Sequence, residues 1–266
     1  MPDPPRQMTV PEFTACKQAG RKITMLTAYD YGMARLVDSA GIEGILVGDS
    51  VAMVVQGHSN TLPVTVDEMI YHGKLVCRAV RRALVVVDMP FLSYQLGAIR
   101  AIENAGRVLK ETGCQAVKLE QGPGQAEITA ALVSAGIPVM AHCGLRPQSI
   151  QQMGTYRVQR DRDRLMADAK AAEQAGAFSI LLECIPADLA AEITAAVAVP
   201  TIGIGAGAGC DGQILVTHDL LGLTEGRLPR HVKPYADLGR QIVAAVTQYR
   251  DDVRAGTFPG PEQSFS

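Results

Sequence analysis

The sequence has no tryptophan, and aromatic residues of all kinds make up only 5% of its 266 positions. An interior without large rings must be filled by small aliphatic side chains. Alanine, valine, leucine and 26 glycines supply that filling, a flavour common in α/β proteins. Neither sign of charge is in excess, since 25 Lys and Arg face 27 Asp and Glu for a net of −2. No basic field is available to neutralise a phosphate backbone, so a nucleic-acid partner is not expected. Paired cysteine motifs are also missing. Cys16, Cys77, Cys114, Cys143, Cys184 and Cys210 are separated by long, irregular gaps with no C-x-x-C, which signals neither a zinc site nor a disulfide framework. They read as buried small hydrophobes in a reducing compartment. No run is fit to span a membrane: the most membrane-like stretch, 193–210, is uncharged but holds Pro200 and four glycines. Residues 1–7 contain three prolines and no apolar core, unlike a signal peptide. With 47% hydrophobic and 20% charged residues, the expectation is a soluble, cytoplasmic, globular protein with a large core.

What is present is a repeat: a helical pattern, a small residue with glycine, then a short apolar run. Ala40-Gly41 precedes Gly44-Ile45-Leu46-Val47. Thr112-Gly113 precedes Ala116-Val117-Lys118-Leu119. Ala135-Gly136 precedes Pro138-Val139-Met140-Ala141. Ala175-Gly176 precedes Phe178-Ser179-Ile180-Leu181-Leu182. Glycine suits the left-handed turn that ends a helix. The runs are mostly apolar without alternation, as strands buried on both faces should be. Residues 23–28, 83–87 and 200–204 fit the same role, and 213–216 is a candidate eighth. Helical patterns cover 66–81 with Thr65 as N-cap, 98–110, 162–175, 188–197 after Pro186, and 235–253. Eight strands alternating with helices predict a (β/α)8 TIM barrel, with a doubly wound open sheet as the runner-up. A barrel of this type takes ~250 residues as one domain. The expected organisation is thus a single domain over 1–266, with a short N-terminal tail (about 1–8) and an extended C-terminal arm (about 256–266).

The active site of such a barrel lies at the C-terminal ends of its strands. Those ends read Tyr29-Asp30, Gly48-Asp49-Ser50, Asp88, Lys118 with Glu120, His142 and Glu183. Five carboxylates, one lysine and one histidine therefore converge on one rim. Helix capping accounts for one or two such acids, not for one on five of the first six strands. Carboxylates this dense repel one another unless a positive charge is present. Asp49, Asp88 and Glu120 come from successive strands, and oxygen ligation of this kind suits Mg²⁺. His142 could replace one oxygen and shift the preference toward Mn²⁺ or Zn²⁺. Lys118 should point inward with Glu120 and pair with a carboxylate of the protein or of a substrate. The glycine run 203–209 follows the seventh strand, where barrels often bind phosphate. A tight turn that lets a substrate or another backbone approach is the alternative.

At these residues the chain resembles a known family. Thr27-Ala28-Tyr29-Asp30-Tyr31, Leu46-Val47-Gly48-Asp49-Ser50, Gln56-Gly57-His58 and Thr61-Leu62-Pro63-Val64-Thr65 stand in order. So do Val117-Lys118-Leu119-Glu120, His142-Cys143-Gly144-Leu145, Leu182-Glu183-Cys184, Ile202-Gly203-Ile204-Gly205-Ala206-Gly207 and Asp211-Gly212-Gln213-Ile214-Leu215-Val216. Together they closely resemble the ketopantoate hydroxymethyltransferase family, also called 3-methyl-2-oxobutanoate hydroxymethyltransferases, from about Thr9 to the last residue. The resemblance implies a barrel of the phosphoenolpyruvate/pyruvate superfamily. It implies transfer of a one-carbon unit from 5,10-methylenetetrahydrofolate to 2-oxoisovalerate, giving ketopantoate for pantothenate and coenzyme A synthesis. Asp49, Asp88 and Glu120 would correspond to the metal site. Asp49, Ser50, Asp88 and Lys118 would contact the 2-oxo acid, and Glu183 would accept the proton. His142 would bond the enolate oxygen or steer water, or serve structure alone. A large homo-oligomer of stacked rings, such as a decamer, is implied as well.

Two other readings compete. One is a Mg²⁺-dependent lyase or mutase of the same superfamily, acting on a C–C or P–C bond of a 2-oxo acid without folate. The other is a catalytically silent metabolite-binding barrel, which would tolerate loss of the rim carboxylates.

Overall fold

The computed structural model describes residues 6–122 and 124–265. Each apolar run becomes a strand: β1 (Ile23–Thr27), β2 (Gly44–Val47), β3 (Leu84–Asp88), β4 (Ala116–Glu120), β5 (Val139–Gly144), β6 (Ser179–Glu183), β7 (Thr201–Ile204) and β8 (Gly212–Leu215). All neighbours are parallel and in chain order, and β1 pairs with both β2 and β8. The sheet therefore closes into the expected (β/α)8 barrel. The runner-up open sheet would have left two edges unpaired.

The helices are α1 (Val10–Gln18), α2 (Tyr31–Ser39), α3 (Val51–Val54), α4 (Val66–Ala79), α5 (Ala98–Thr112), α6 (Gln125–Ser134), α7 (Ile150–Met153), α8 (Arg162–Gln174) and α9 (Ala187–Ala196). Two more, α10 (Thr217–Leu220) and α11 (Leu238–Ala255), follow the last strand. Local chemistry sets the boundaries. Thr65 caps α4, accepting from the Glu68 N–H at 3.3 Å, while Glu68 reaches back to the Thr65 N–H at 2.7 Å. Two orphan donors of the first turn are satisfied in this reciprocal way. Gly113 ends α5 in the left-handed conformation, with φ 80°.

Alternation along the strands separates two layers. Ile45, Val47, Val85, Val87, Val117, Leu119 and Val139 pack outward under the helices. Met25, Leu46, Leu84, Val86, Ala116, Met140, Leu181, Ile202 and Ile214 form a second cluster, in the barrel interior. Phe13 of α1 joins that cluster and meets Phe178 edge to ring at 5.7 Å between centroids. The inward series then turns polar toward the strand ends: Leu84–Val86–Asp88, Ala116–Lys118–Glu120, Met140–His142 and Leu181–Glu183. An apolar floor thus lies beneath a charged mouth, which lowers the local dielectric under every ionisable group above it.

The glycine run after β7 is a turn that packs closely. A Cβ at Gly207 would overlap Ala187, and one at Gly209 would sit 2.9 Å from the Ala191 Cβ, so α9 leaves room for glycine only.

The chain falls into two compact units, Met1–Val216 and Thr217–Ser266. The first holds the barrel. The second holds α10 and α11, with Tyr235 and Leu238 donating backbone N–H groups to the carbonyls of Leu220 and Leu221. Residues 1–5 of the expected N-terminal tail and Ser266 of the expected C-terminal arm lie outside the described residues. Among the described residues no helix is long and apolar enough to cross a membrane. All six cysteines are free, four of them buried.

Candidate active site

Strand register brings the polar residues together. Asp88 pairs across from Lys118, Glu120 from His142, and Gly144 from Glu183. Lys118 Nζ lies 2.7 Å from Asp88 Oδ1. The same Nζ lies 3.4 Å from His142 Nδ1, and His142 Nε2 lies 3.2 Å from Glu183 Oε2. A line Asp88–Lys118–His142–Glu183 therefore crosses the barrel mouth. An ammonium has donors only, so it donates to Nδ1. This leaves the proton on Nε2, facing Glu183.

The charges agree with that assignment. Burial pushes the His142 imidazolium down and the Lys118 ammonium adds to this, with Glu183 opposing, so the ring is neutral near pH 7. Burial works against the Lys118 ammonium, but Asp88 and Asp49 prevail and hold its pKa above the ordinary lysine value. Burial pushes the Asp88 carboxyl up, countered by Lys118 and reinforced by Asp49. Glu120 is raised well above the usual range, first by burial and then by Asp49. One lysine is thus shared among more buried acids than it can neutralise.

Access to solvent separates the roles. The Asp88, Lys118 and His142 side chains are 3%, 7% and 2% exposed, whereas the Glu183 side chain is 18% exposed. Glu183 is the most exposed member of the line. Its backbone is pinned as well, because the Leu145 N–H donates to its carbonyl at 2.9 Å. Cys184 follows at once with φ +48°, an uncommon conformation for a residue with a side chain.

Asp49 and Ser50 sit in the turn between β2 and α3. The Asp49 N–H donates to Asp88 Oδ2 at 3.0 Å, which sets the two carboxylates side by side. Ser50 Oγ lies 2.8 Å from the Tyr29 hydroxyl. Gly48 allows the turn, since a Cβ there would lie 2.8 Å from Ser50 Oγ. The structure thus gathers Asp49, Ser50, Asp88, Lys118, Glu120, His142 and Glu183 at one end of the barrel. Asp30 is not with them: it is exposed and caps α2, accepting from the Met33 N–H at 2.9 Å. The count of five rim acids drops to four for that reason.

The donor set suits a hard cation, with Asp49 and Asp88 adjacent and Glu120 one strand on. Among the described residues no three His, Cys, Asp or Glu side chains are grouped so as to hold a metal ion. Mg²⁺ needs fewer, because it commonly keeps waters and takes one or two carboxylates plus substrate oxygens.

The family model for ketopantoate hydroxymethyltransferase matches residues 7–261. The chain belongs to this family. A 3-methyl-2-oxobutanoate hydroxymethyltransferase of Rhodopirellula baltica is 57% identical over 249 residues, 94% of this chain and 93% of that one. One of Pelobacter propionicus is 54% identical over 269 residues, all of both chains. Among solved structures, a 2,3-dimethylmalate lyase covers 98% of this chain and 89% of its own at a TM-score of 0.63 and 18% identity. A phosphonopyruvate hydrolase in complex with oxalate and Mg²⁺ has the same TM-score at 15% identity, covering 96% of this chain and 93% of its own. These two likenesses establish the shared fold.

Against the family's motifs, two polar residues stand out that no motif marked. Gln148 is buried in the turn Pro147–Ser149, and Tyr94 is buried in the loop after β3. Both line a cavity of about 110 Å³ beside Glu120, with Phe91, Gln95, Gln125 and Arg146. A single uncharged polar residue in a loop has no periodicity and no partner spacing. The one motif nearby, His142-Cys143-Gly144-Leu145 at a strand end, stops short of Gln148.

Proposed function

We propose that the protein transfers a hydroxymethyl group from 5,10-methylenetetrahydrofolate to 3-methyl-2-oxobutanoate (2-oxoisovalerate), giving ketopantoate. The observation that carries this reading is the line Asp88–Lys118–His142–Glu183. It ends on its most exposed member, a carboxylate beside a neutral histidine. Family membership supports the same reaction.

The reaction must remove the single proton on C3 of the oxo acid. His142 Nε2 lies 3.2 Å from Glu183 Oε2, and the other carboxylate oxygen is left to take that proton. A positioned base of this kind contributes ~10²–10⁴-fold. Lys118 and the Ser50 hydroxyl hold the substrate carboxylate, and Tyr29 orients Ser50. His142, held at Nδ1 by Lys118, places its Nε2 beside Glu183. The C3 carbanion forms a bond to the folate methylene carbon as its bond to N10 breaks. Water then forms the C–O bond as the bond to N5 breaks. The C3 proton taken by Glu183 and one proton of the water end on the two nitrogens of the departing tetrahydrofolate. The buried floor limits water around the reacting carbon.

Asp49 and Asp88, with Glu120 nearby, would hold a divalent cation. When bound, Mg²⁺ supplies Lewis-acid polarisation of the keto oxygen, worth several kcal/mol. His142 Nδ1 faces Lys118 and Nε2 faces Glu183 at 3.2 Å, so the donors left to a cation are oxygens. That composition favours Mg²⁺ or Mn²⁺ over Zn²⁺.

Self-association belongs to the same reading. Ile242, Val246, Tyr249 and Val253 recur at helical spacing along α11 and are 52%, 60%, 57% and 46% exposed. An apolar row of this kind marks an interaction surface, and we assign it to further copies of the chain.

The test is direct. The purified protein with Mg²⁺, 2-oxoisovalerate and methylenetetrahydrofolate should form ketopantoate, detected by mass. No product in the presence of all three rejects the proposal. Cleavage of a 2-oxo acid without folate would favour the lyase reading.

A further inference from the structure

Gln148 makes more polar contacts at this end of the barrel than its residue type or loop position would suggest. Its Nε2 donates to Asp49 Oδ2 at 2.9 Å and to the Met89 carbonyl at 2.9 Å. Its Oε1 accepts from the Tyr94 hydroxyl at 2.8 Å and from Gln95 Nε2 at 3.2 Å. A primary amide has two donors and two acceptor lone pairs, and here all four are used. Its backbone N–H donates to Glu120 Oε1 at 3.0 Å.

The direction of these bonds is settled by the backbone. The Glu120 N–H donates to the Tyr94 oxygen at 3.2 Å, so the Tyr94 proton is directed to Gln148 Oε1. The Met89 carbonyl accepts only, so the amide nitrogen must face it. The same nitrogen then necessarily faces Asp49. One uncharged residue thus presents a donor to each of two buried carboxylates: its side chain to Asp49, and its backbone to Glu120, whose carboxyl burial and then Asp49 push up. A carboxylate side chain in its place would add a third negative charge, and an apolar one would keep the backbone donor to Glu120 but leave Asp49 free to turn.

We propose that Gln148 is a positioning residue that fixes the Asp49 and Glu120 carboxylates in the orientation that receives a divalent cation, with Tyr94 fixing Gln148 in turn. The proposal rests on the cation-assisted reading above. Its test separates the two by reading metal binding without substrates.

Mg²⁺ is titrated calorimetrically into the whole protein and into Gln148→Met, Gln148→Glu and Tyr94→Phe. Melting temperatures and ketopantoate kcat and KM are measured alongside. Gln148→Met should raise the Mg²⁺ Kd at least tenfold and raise the KM for the oxo acid in parallel. Gln148→Glu should not restore the wild-type Kd despite its matching shape. Tyr94→Phe should shift the Kd in the same direction by a smaller factor, and it carries the test if Gln148→Met does not fold. Variants that melt lower but bind Mg²⁺ like the wild type make Gln148 merely structural and overturn the proposal. So does a wild type that binds no divalent cation. Gln148-dependent Mg²⁺ binding without ketopantoate formation would count against the proposed reaction alone.

Discussion

His142 joins electrostatics to chemistry in this site. Burial and Lys118 hold its pKa below the ordinary histidine value. Its contribution to stability is therefore present above the unfolded pKa of about 6.5 and is lost as pH falls below it, because the unfolded chain then binds the extra proton. Wild-type protein should lose melting temperature between pH 7 and pH 5. His142→Asn, which cannot take up that proton, should lose less over the same interval. Equal losses measured by calorimetry would mean that His142 is charged in the folded state. At this scale the sequence was informative where a residue broke an apolar run: Lys118, Glu120, His142 and Glu183 each interrupt or end one. Asp30 ended a run too, yet it caps a helix. Capping and catalysis draw on the same residue type at the same place, and only the fold separates them. Gln148 and Tyr94 carried no mark, since their importance lies in partners 99 and 26 residues away.

The glycine before Leu145 sets how β5 meets β6. Gly144 has φ +107°, and a Cβ there would overlap the Glu183 carbonyl and approach Ile185 Cγ2 to 3.0 Å. Backbone strain alone costs a non-glycine residue there about 1–3 kcal/mol. The overlap adds to it and falls on the residue assigned as the base. Gly144→Ala should lower both denaturant stability and kcat. Wild-type turnover in a folded Gly144→Ala protein would show that Glu183 tolerates displacement. The strands themselves were legible because parallel barrel strands are buried on both faces and follow a glycine turn. Their ends were read less well: β5 extends to Gly144, beyond the apolar run, because pairing with β6 continues after the side chains turn polar. The single-turn helices α3, α7 and α10 were missed because four residues are too few to display a period.

For the molecule as a whole, closure of the barrel makes the site. Register carries Asp88, Lys118, Glu120, His142 and Glu183 from four strands to one mouth, over an interior that stays apolar below. The repeat length and the alternation of helix and strand showed that architecture in advance. The sequence offered little on assembly, because an apolar helical row looks alike whether it faces a core or another chain. In α11 the row is exposed, so Val246→Asp should convert the protein to a smaller species in sedimentation velocity. An unchanged sedimentation coefficient would remove α11 from the interface.

The account turns on Glu183 as the group that removes the C3 proton. Its most direct test is deuterium exchange at C3 of 2-oxoisovalerate, followed by NMR in D₂O with Mg²⁺ and no folate, for the wild type and Glu183→Gln. Exchange in the wild type, lost in Glu183→Gln while the oxo acid still binds, is the predicted result. Exchange at the parent rate in Glu183→Gln would contradict it and assign the proton to another base.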